Sequence, residues 1–453
     1  MVSIFILKQN RLFTEIFHIY YQMVIESQST YREVLQHISG KDVYVIPTRD
    51  DFRTHPAESK PIILSISCED KKYDIVFDHC ESLSKELDIN ELSCVKRFWV
   101  EDIKQFYHLT KFTNVYDIKL YCWIHDKEYK SIDPPIIFRH IYSNSTSNRE
   151  SNKIVPLFKV LEYANERLTN MLLHSENLKI TKSFLRYNTA LLQLAIMESN
   201  GLRIQPGSYH NTFKNGYAFC NYNINTITGR PSNTFNGVNF GALNKNDGTR
   251  DAFISRHNKG MLIEFDYDAY HLRLLASILE WKFPKNKSVH QYFAEEVYHC
   301  EYKEAKKISF QMLYGQIQTT AERNPFFYGV DRLSQVLLDS FTADKCLRSH
   351  IYGKEFCLEN VDGLNKNKLL NYFIQSFETE RNLNVIKSVN NFLKHKRTKM
   401  ILYTYDSFLF DFDIEEGLDL LVDLKKILES GGFPTKSKAG QTYHEMNDIT
   451  ERL

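Results

Sequence analysis

The sequence has little of what breaks or staples a chain. Glycine occurs 17 times and proline 11 times in 453 residues, too few for long low-complexity linkers. The eight cysteines, Cys68, Cys80, Cys94, Cys122, Cys220, Cys300, Cys346 and Cys357, include no CxxC pair. Their thin scatter argues against a structural zinc site and a disulfide scaffold, and suits a reducing cytoplasm. No apolar run approaches the roughly 20 residues of a spanning helix, and the short N-terminal one is interrupted by Lys8 and Arg11. Neither a membrane segment nor a secretory leader is expected. Charge of one sign is also missing: Lys plus Arg is 57, Asp plus Glu is 56, and the formal net charge is +1. Any footprint for nucleic acid must therefore be local. Aromatics are plentiful, with 31 Phe and 27 Tyr, and hydrophobic residues make up 43% of the chain, which excludes disorder as the main state. The length allows two to four domains at roughly 100–200 residues each.

Along the chain, VYVIP (43–47), PIILSIS (61–67) and YDIVF (73–77) read as strands, rich in β-branched and aromatic residues. WVEDIKQFYHL (99–109) reads as helical and is followed by an apolar run around Val115 and Trp123. SNSTSNRESN (143–152) is a polar linker without periodicity. Residues 154–173 and 184–201 have apolar side chains at helical spacing, and Asn200-Gly201 is a plausible stop for the second helix.

Three later segments carry chemistry. In MLIEFDYDAYHLRLLASIL (261–279), Asp266 and Asp268 stand where a strand gives way to a helix; a carboxylate there is a metal-ligand candidate or, read alone, a helix cap. In YKEAKKISFQMLYG (302–315), Lys303, Lys307, Phe310 and Tyr314 share one helical face with Lys306 at its border. Cations followed by aromatics on one stripe suit a phosphate chain beside a stacked base, and equally suit an amphipathic helix with a wide buried face. In MILYTYDSFLFDF (400–412), Asp406 interrupts an apolar run, so it needs a metal, a cation or a hairpin turn.

Taken in order, these segments resemble the family A DNA polymerases, the DNA polymerase I family. Asp266-Tyr267 with Leu272-Arg273 and Leu275-Ala276 resembles motif A; Lys306, Phe310, Tyr314 and Gly315 resemble motif B on the fingers helix; Tyr405-Asp406 resembles the motif C palm hairpin. Thr228-Gly229-Arg230 with Ser232 and Asn239 resembles the segment upstream of motif A, and Asn371 and Gln375 resemble the helix that contacts primer-template. The resemblance spans about residues 200–453, and the TGRPSN and YDS variants look most like bacteriophage-type members.

The resemblance implies a multidomain α/β and α+β chain. Residues 1–142 form a ribonuclease-H-like, vestigial 3′–5′ exonuclease domain, 143–152 a linker, 153–220 a helical, reduced thumb, and 221–453 a right-hand palm and fingers, with the fingers at about 286–374. It implies a DNA-directed DNA polymerase adding deoxynucleotides to a primer 3′-hydroxyl, in viral or phage replication. Asp266 and Asp406, with the backbone of Tyr267, would hold two Mg²⁺ ions, for which Mn²⁺ can substitute. Lys306, Lys303, Phe310, His271, Tyr314 and His290 would bind the dNTP, and Arg230, Asn239, Arg250, Asn371 and Gln375 the primer-template. A monomer in the host cytoplasm is expected, with accessory replisome proteins as possible partners.

Several positions depart from the family. His271 stands where the Glu that excludes ribose is usual, Ser407 replaces the acid after the motif C Asp, Tyr302 replaces an Arg, and Asp268 is either a compensating carboxylate or a cap. No DxE pair lies on the early strands and Phe106 sits where a metal-binding Asp is expected, so proofreading is expected to be absent and Asp51, Glu101, Asp102 and Asp117 to be surface or structural acids. The short thumb implies low processivity. The alternative from another class is a non-catalytic primer-template-binding replisome subunit.

Overall fold

The computed structural model describes residues 22–52, 54–82, 87–135, 155–208, 216–235, 238–239, 243, 248–284, 287–314, 324–358 and 361–453. The linker expected at 143–152, Gly315 and the side chain of Asn239 lie outside the described residues. The chain divides into two compact units that interleave in sequence. The first comprises Met1–Phe52, Lys60–Glu101 and Ile132–Leu173, the second Arg53–Ser59, Asp102–Ser131 and His174–Leu453.

In the first unit, β1 (Gln22–Ile25), β2 (Asp42–Arg49), β3 (Pro61–Cys68), β4 (Lys71–Val76) and β5 (Arg97–Val100) lie in the order β1-β4-β3-β2-β5. The β2-β3-β4 stretch is an antiparallel meander, β5 runs parallel to β2, and β1 runs parallel to β4. The apolar runs expected as strands are these strands, and β3 is buried along nearly its whole length, as befits a central strand covered on both faces. Helix Leu157–His174 covers the sheet, packing Val160 and Tyr163 on Ile62, Ile63 and Val76. The same helix buries Arg167, whose Nε and Nη2 donate to Glu101 while Nη1 donates to the Pro47 carbonyl at 3.2 Å.

The stretch read as one helix from 99 is split. Trp99 and Val100 belong to β5, and the helix runs Ile103–Thr110 with Asp102 as its N-cap, accepting from the Lys104 and Gln105 amides. Asp117 accepts from the Ile103 and Leu120 amides; burial, and the Asp102 carboxylate after it, push its carboxyl up to about 7. Asp51, Glu101 and Asp117 are buried rather than on the surface. For Asp102, Asp117 and Glu101 the partners are structural.

The second unit opens its main body with α1 (Lys182–Glu198), which stops just before Gly201, held at φ +61°. There follow β6 (Met261–Tyr267), α2 (Tyr270–Ile278), α3 (Tyr302–Tyr314), α4 (Pro325–Asp344), a two-stranded ribbon β7 (Cys346–Arg348) and β8 (Glu355–Cys357), and the long α5 (Lys366–Leu393). The hairpin β9 (Lys399–Thr404) and β10 (Ser407–Phe412) comes next, then β11 (Thr435–Gly440) and β12 (Asn447–Asp448). These last strands join β6 in an antiparallel sheet of order β9-β10-β6-β11-β12. Polar α5 residues Glu378, Glu380, Arg381 and Asn382 are buried along with its apolar ones. A helix that buries charged groups must supply each with a partner, and those partners build the site.

Candidate active site

Two carboxylates meet at one end of the sheet because of strand register. Asp266 on β6 sits opposite Ser407 on β10, so it lies beside Asp406 in the two-residue turn between β9 and β10. The Tyr267 amide donates to the Asp406 carbonyl at 2.9 Å, which ties strand to turn. The turn puts Tyr405 at φ +57°, a conformation that costs a non-glycine residue free energy and persists where its surroundings enforce it. Asn382 on α5 does so: its Nδ2 donates to the Tyr405 carbonyl at 2.6 Å, and its Oδ1 accepts from the Tyr270 hydroxyl at 2.6 Å. Arg381 secures the neighbouring strand, donating to the Tyr267 and Tyr270 hydroxyls, both at 2.9 Å.

These carboxylates open into a cleft of about 410 Å³. One wall is α3, where Tyr302, Lys306, Phe310 and Tyr314 line the cavity. They form an i, i+4 ridge, which drifts around a helix because four residues exceed one turn. Lys303 and Lys307 fall on the adjacent ridge, exposed and outside the lining, and Tyr302 takes the cleft position one turn before Lys306. Phe310 and Tyr314 stack with ring centroids 5.8 Å apart, and the Lys306 ammonium lies 5.8 Å from the Phe310 ring. His290 is buried behind Phe310, 5.9 Å ring to ring, and burial, then Lys306, push its imidazole down to about 4. It is therefore neutral at pH 7, with Nδ1 lacking a hydrogen-bond partner.

His271, in the first turn of α2, projects into the same cleft. Its Nδ1 lies 2.5 Å from the Tyr314 hydroxyl and its Nε2 lies 3.3 Å from the Glu378 carboxylate. Glu378 is 1% exposed and also faces Arg230 Nε at 3.1 Å. Arg230 in turn lies over the Tyr405 ring, 3.7 Å from its centroid. Gly229, at φ +71°, makes the turn that aims Arg230: a side chain there would be strained and would meet Trp123 and the Tyr187 hydroxyl. Desolvation first, then Glu378, pushes the Asp406 carboxyl above the ordinary Asp range.

Asp268 lines the cleft and does not cap the helix that follows it. Its carboxylate takes Arg273 at 2.9 Å and Lys436 at 3.1 Å, and the helix N-cap position is Ala269, with no side-chain cap bond. Burial would lower Lys436, but Asp268 outweighs it and holds the ammonium above the ordinary Lys range. Arg250 lines the cleft, its guanidinium 4.4 Å from the centre of the Tyr443 ring. Asn371 and Gln375 do not line it; they lie on α5 at i−7 and i−3 from Glu378, one helix face, with Thr228 Oγ1 donating to Gln375 at 3.4 Å.

Sequence reasoning missed Glu378, Lys436 and Tyr443. Glu378 carried one signal: with Asn371, Gln375 and Asn382 it recurs at i, i+4, i+7, i+11, one face of its helix. Lys436 and Tyr443 carried none.

The donor set fits hard divalent cations. Asp266 and Asp406 offer carboxylate oxygens beside the Tyr267 backbone, an all-oxygen set suited to Mg²⁺ or Mn²⁺. A second cluster, His55, His108 and Glu198, does not fit a metal. His55 Nδ1 accepts from the Ala57 amide, so the ring proton sits on Nε2 and leaves no lone pair there. Glu198 is already taken by Lys104 at 2.8 Å, by His108 at 3.1 Å and by the Tyr222 amide at 2.6 Å. Glu198 is thereby committed to protein partners, while His108 Nδ1 has no hydrogen-bond partner among the described residues.

No family model and no curated protein matches the sequence. Among solved structures, the chain is similar to the POL domain of Pol1 from M. smegmatis in complex with DNA primer-template and dNTP, with a TM-score of 0.69 and 14% sequence identity, covering 94% of this chain and 100% of that one. At that identity the likeness speaks to fold alone: the chain has the mixed α/β fold of that POL domain.

Proposed function

We propose that the protein is a template-directed DNA polymerase that extends a primer 3′-hydroxyl with deoxynucleotides. The observation that supports this most is the convergence of Asp266, Asp406, Lys306, Phe310 and Tyr314 on one cleft, in a chain with the fold of a polymerase domain. Divalent cations held by Asp266 and Asp406 would supply activation of the 3′-hydroxyl and charge neutralisation on the triphosphate. The remaining work belongs to side chains. Lys306 neutralises phosphate charge at the mouth of α3. Phe310 and Tyr314 offer a stacking surface for base and sugar. Neutral His290 backs Phe310 and fixes its ring. Phosphoryl transfer depends on such positioning more than on covalent chemistry.

The sugar of a nucleotide so placed lies between Lys306 and the aromatic pair, against His271. His271 Nδ1 shares a hydrogen bond with the Tyr314 hydroxyl, and its Nε2 faces the Glu378 carboxylate at 3.3 Å as a charge contact without hydrogen-bond geometry. We read this His271–Tyr314 wall as the element that crowds a ribose 2′-hydroxyl, with Glu378 as its positioning residue. Arg230, Arg250, Asn239, Asn371 and Gln375 are read as primer-template contacts.

For residues 1–142 we favour a vestigial exonuclease-type domain, followed by a reduced thumb at 153–220 and palm and fingers from 221. The antiparallel β2-β3-β4 meander with β5 parallel to its first strand is compatible with a ribonuclease-H-like sheet, and Glu101, committed to Arg167, has no carboxylate to spare for proofreading. No helix among the described residues is long and apolar enough to cross a membrane. Phage-type replication by a cytoplasmic monomer is the setting we favour.

The test is primer extension on a defined template with Mg²⁺, comparing wild type, Asp266→Ala and Asp406→Ala. Extension that each substitution reduces at least about 10³-fold is expected. Binding of primer-template without extension by wild type, at any divalent ion tried, would overturn the enzyme reading in favour of a non-catalytic replisome subunit.

A further inference from the structure

The two-stranded ribbon between α4 and α5 places two cysteines directly across from each other. Cys346 begins β7, Cys357 ends β8, and the antiparallel register pairs them, with Leu347 opposite Phe356 and Arg348 opposite Glu355. The Ser349 amide donates to the Lys354 carbonyl at 2.8 Å, which makes 349/354 a hydrogen-bonded position. Because hydrogen-bonded and non-hydrogen-bonded positions alternate along an antiparallel pair, 347/356 is hydrogen-bonded and 346/357 is not. Non-hydrogen-bonded partners stand about 4.5 Å apart at Cα with their side chains drawn together. That separation is within the range that disulfides span, about 4.4–6.8 Å.

The two thiols also share a face and are reachable. Leu347 and Phe356 point into a buried cluster with Leu358, Leu369 and Phe373. Strand alternation then turns Cys346, Arg348, Glu355 and Cys357 to the opposite side, where Arg348 and Glu355 form an exposed ion pair. Cys357 is exposed and Cys346 half-exposed. Among the described residues, no other two cysteines stand in register on paired strands.

We propose that Cys346 and Cys357 are an oxidation site: a dithiol that a small-molecule disulfide converts to an intramolecular cross-strand disulfide. Exposed Cys357 loses its proton and its thiolate attacks one sulfur of oxidised glutathione, forming a mixed disulfide and releasing one glutathione thiolate. The Cys346 thiolate then attacks the Cys357 sulfur, and the second glutathione leaves. The cysteines give up two electrons and two protons, and oxidised glutathione becomes two thiols. The product fastens the segment leaving α4 to the segment leading into α5. The inference does not depend on the polymerase reading.

The surroundings set the pace. Burial, then Asp126, push the Cys357 thiol up to about 11, and burial, then Glu355, raise Cys346. Lys354 and Arg348 oppose these shifts and Asp344 adds to the second. Thiolate is therefore scarce at neutral pH, exchange is slow, and the pair stays reduced unless an oxidant is supplied.

The experiment uses the full chain, reduced, then treated with oxidised glutathione at about pH 8.5 until exposed Cys80 carries a glutathione adduct. Free thiols are then alkylated and peptides mapped by mass. The expected result is a peptide pair linking Cys346 to Cys357, reversed by dithiothreitol. In Cys346→Ser the link is lost and Cys357 stops at the glutathione adduct. Cys80 modified while Cys346 and Cys357 are recovered as alkylated thiols, or as two separate glutathione adducts, would overturn the proposal.

Discussion

Removing the Glu378 carboxylate tests whether the wall of the cleft is held from behind. Glu378 is 1% exposed and meets His271 at 3.3 Å and Arg230 at 3.1 Å. These are charge contacts without hydrogen-bond geometry; residues in contact couple by about 0.5–3 kcal/mol, which is about a 2- to 100-fold change in an equilibrium. Arg230 keeps its stacking on Tyr405 when Glu378 is lost, so the orientation of His271 bears most of the change. In Glu378→Ala the imidazole turns away from Tyr314, and the preference for dNTP over rNTP, measured as a ratio of kcat/KM in single-nucleotide incorporation, falls by about tenfold and by no more than about 100-fold. Most of that fall comes from faster rNTP use, because a deoxyribose has no 2′-hydroxyl to meet the wall. Glu378→Gln keeps the shape of the side chain facing the imidazole and loses only its charge, so it falls between wild type and Glu378→Ala. His271→Ala lowers the preference at least as far, and adding Glu378→Ala to it changes nothing further. Unchanged selectivity in Glu378→Ala, or additive effects in the double variant, would refute the positioning role while leaving the polymerase reading intact.

Other outcomes rest on named groups. Lys306→Ala raises KM for the nucleotide about tenfold or more, whereas Lys303→Ala, on the neighbouring ridge, stays within about twofold; steady-state incorporation kinetics separate the two. His290 titrates near 4 in the fold against about 6.5 unfolded, so between those values the unfolded chain binds a proton that the native one refuses. Its contribution is fully present above pH 6.5 and is lost on acidification to pH 4, about 3 kcal/mol in all; chemical denaturation across that window should show a shallower slope in His290→Asn. Arg167→Met leaves the Glu101 carboxylate buried without its guanidinium partner and should cost about 3–5 kcal/mol, while adding Glu101→Leu recovers most of it, again read by denaturant titration.

The legible part of the site consists of residues whose role is written into their own element. Asp406 is visible because a carboxylate inside an apolar hairpin has few uses. Asp266 is visible because a strand ends there and a helix begins. Lys306, Phe310 and Tyr314 are visible because they repeat every four residues on one helix. Lys303 shows the limit of that pattern: a helical wheel places it within the angular range of Phe310 and Tyr314, but the cleft is lined by the drifting i+4 ridge of Tyr302, Lys306, Phe310 and Tyr314, and only the packing of α3 selects between two neighbouring ridges. The fold was legible to a similar depth. Apolar runs marked β2, β3 and β4, but the boundary near residue 101 was not marked, because Trp99 and Val100 suit a strand as well as a helix and Asp102 decides the matter by capping the helix that begins at Ile103.

Lys436 enters the site by strand register, which no local pattern marks, and Glu378, one of a polar stripe on its helix, enters by where that helix crosses the hairpin. Lys436 reaches the cleft because β11 pairs with β6 so that it stands opposite Asp266; a one-residue slip would turn it to the other face. Glu378 reaches it because α5 crosses the hairpin at a height that Asn382 and Arg381, one turn further on, secure with hydrogen bonds to Tyr405, Tyr267 and Tyr270. The same helix therefore fixes the strained turn that presents Asp406 and supplies the carboxylate that faces His271. A change at Asn382 should disturb both at once. Asn382→Ala strands the Tyr405 carbonyl, at about 1–3 kcal/mol, leaves the Tyr270 hydroxyl with Arg381 alone, and frees the turn to move Asp406, where displacement of about 1 Å costs about 10²-fold in rate. If stability fell by that amount with kcat unchanged, the turn would be self-supporting and the coupling through α5 would be wrong.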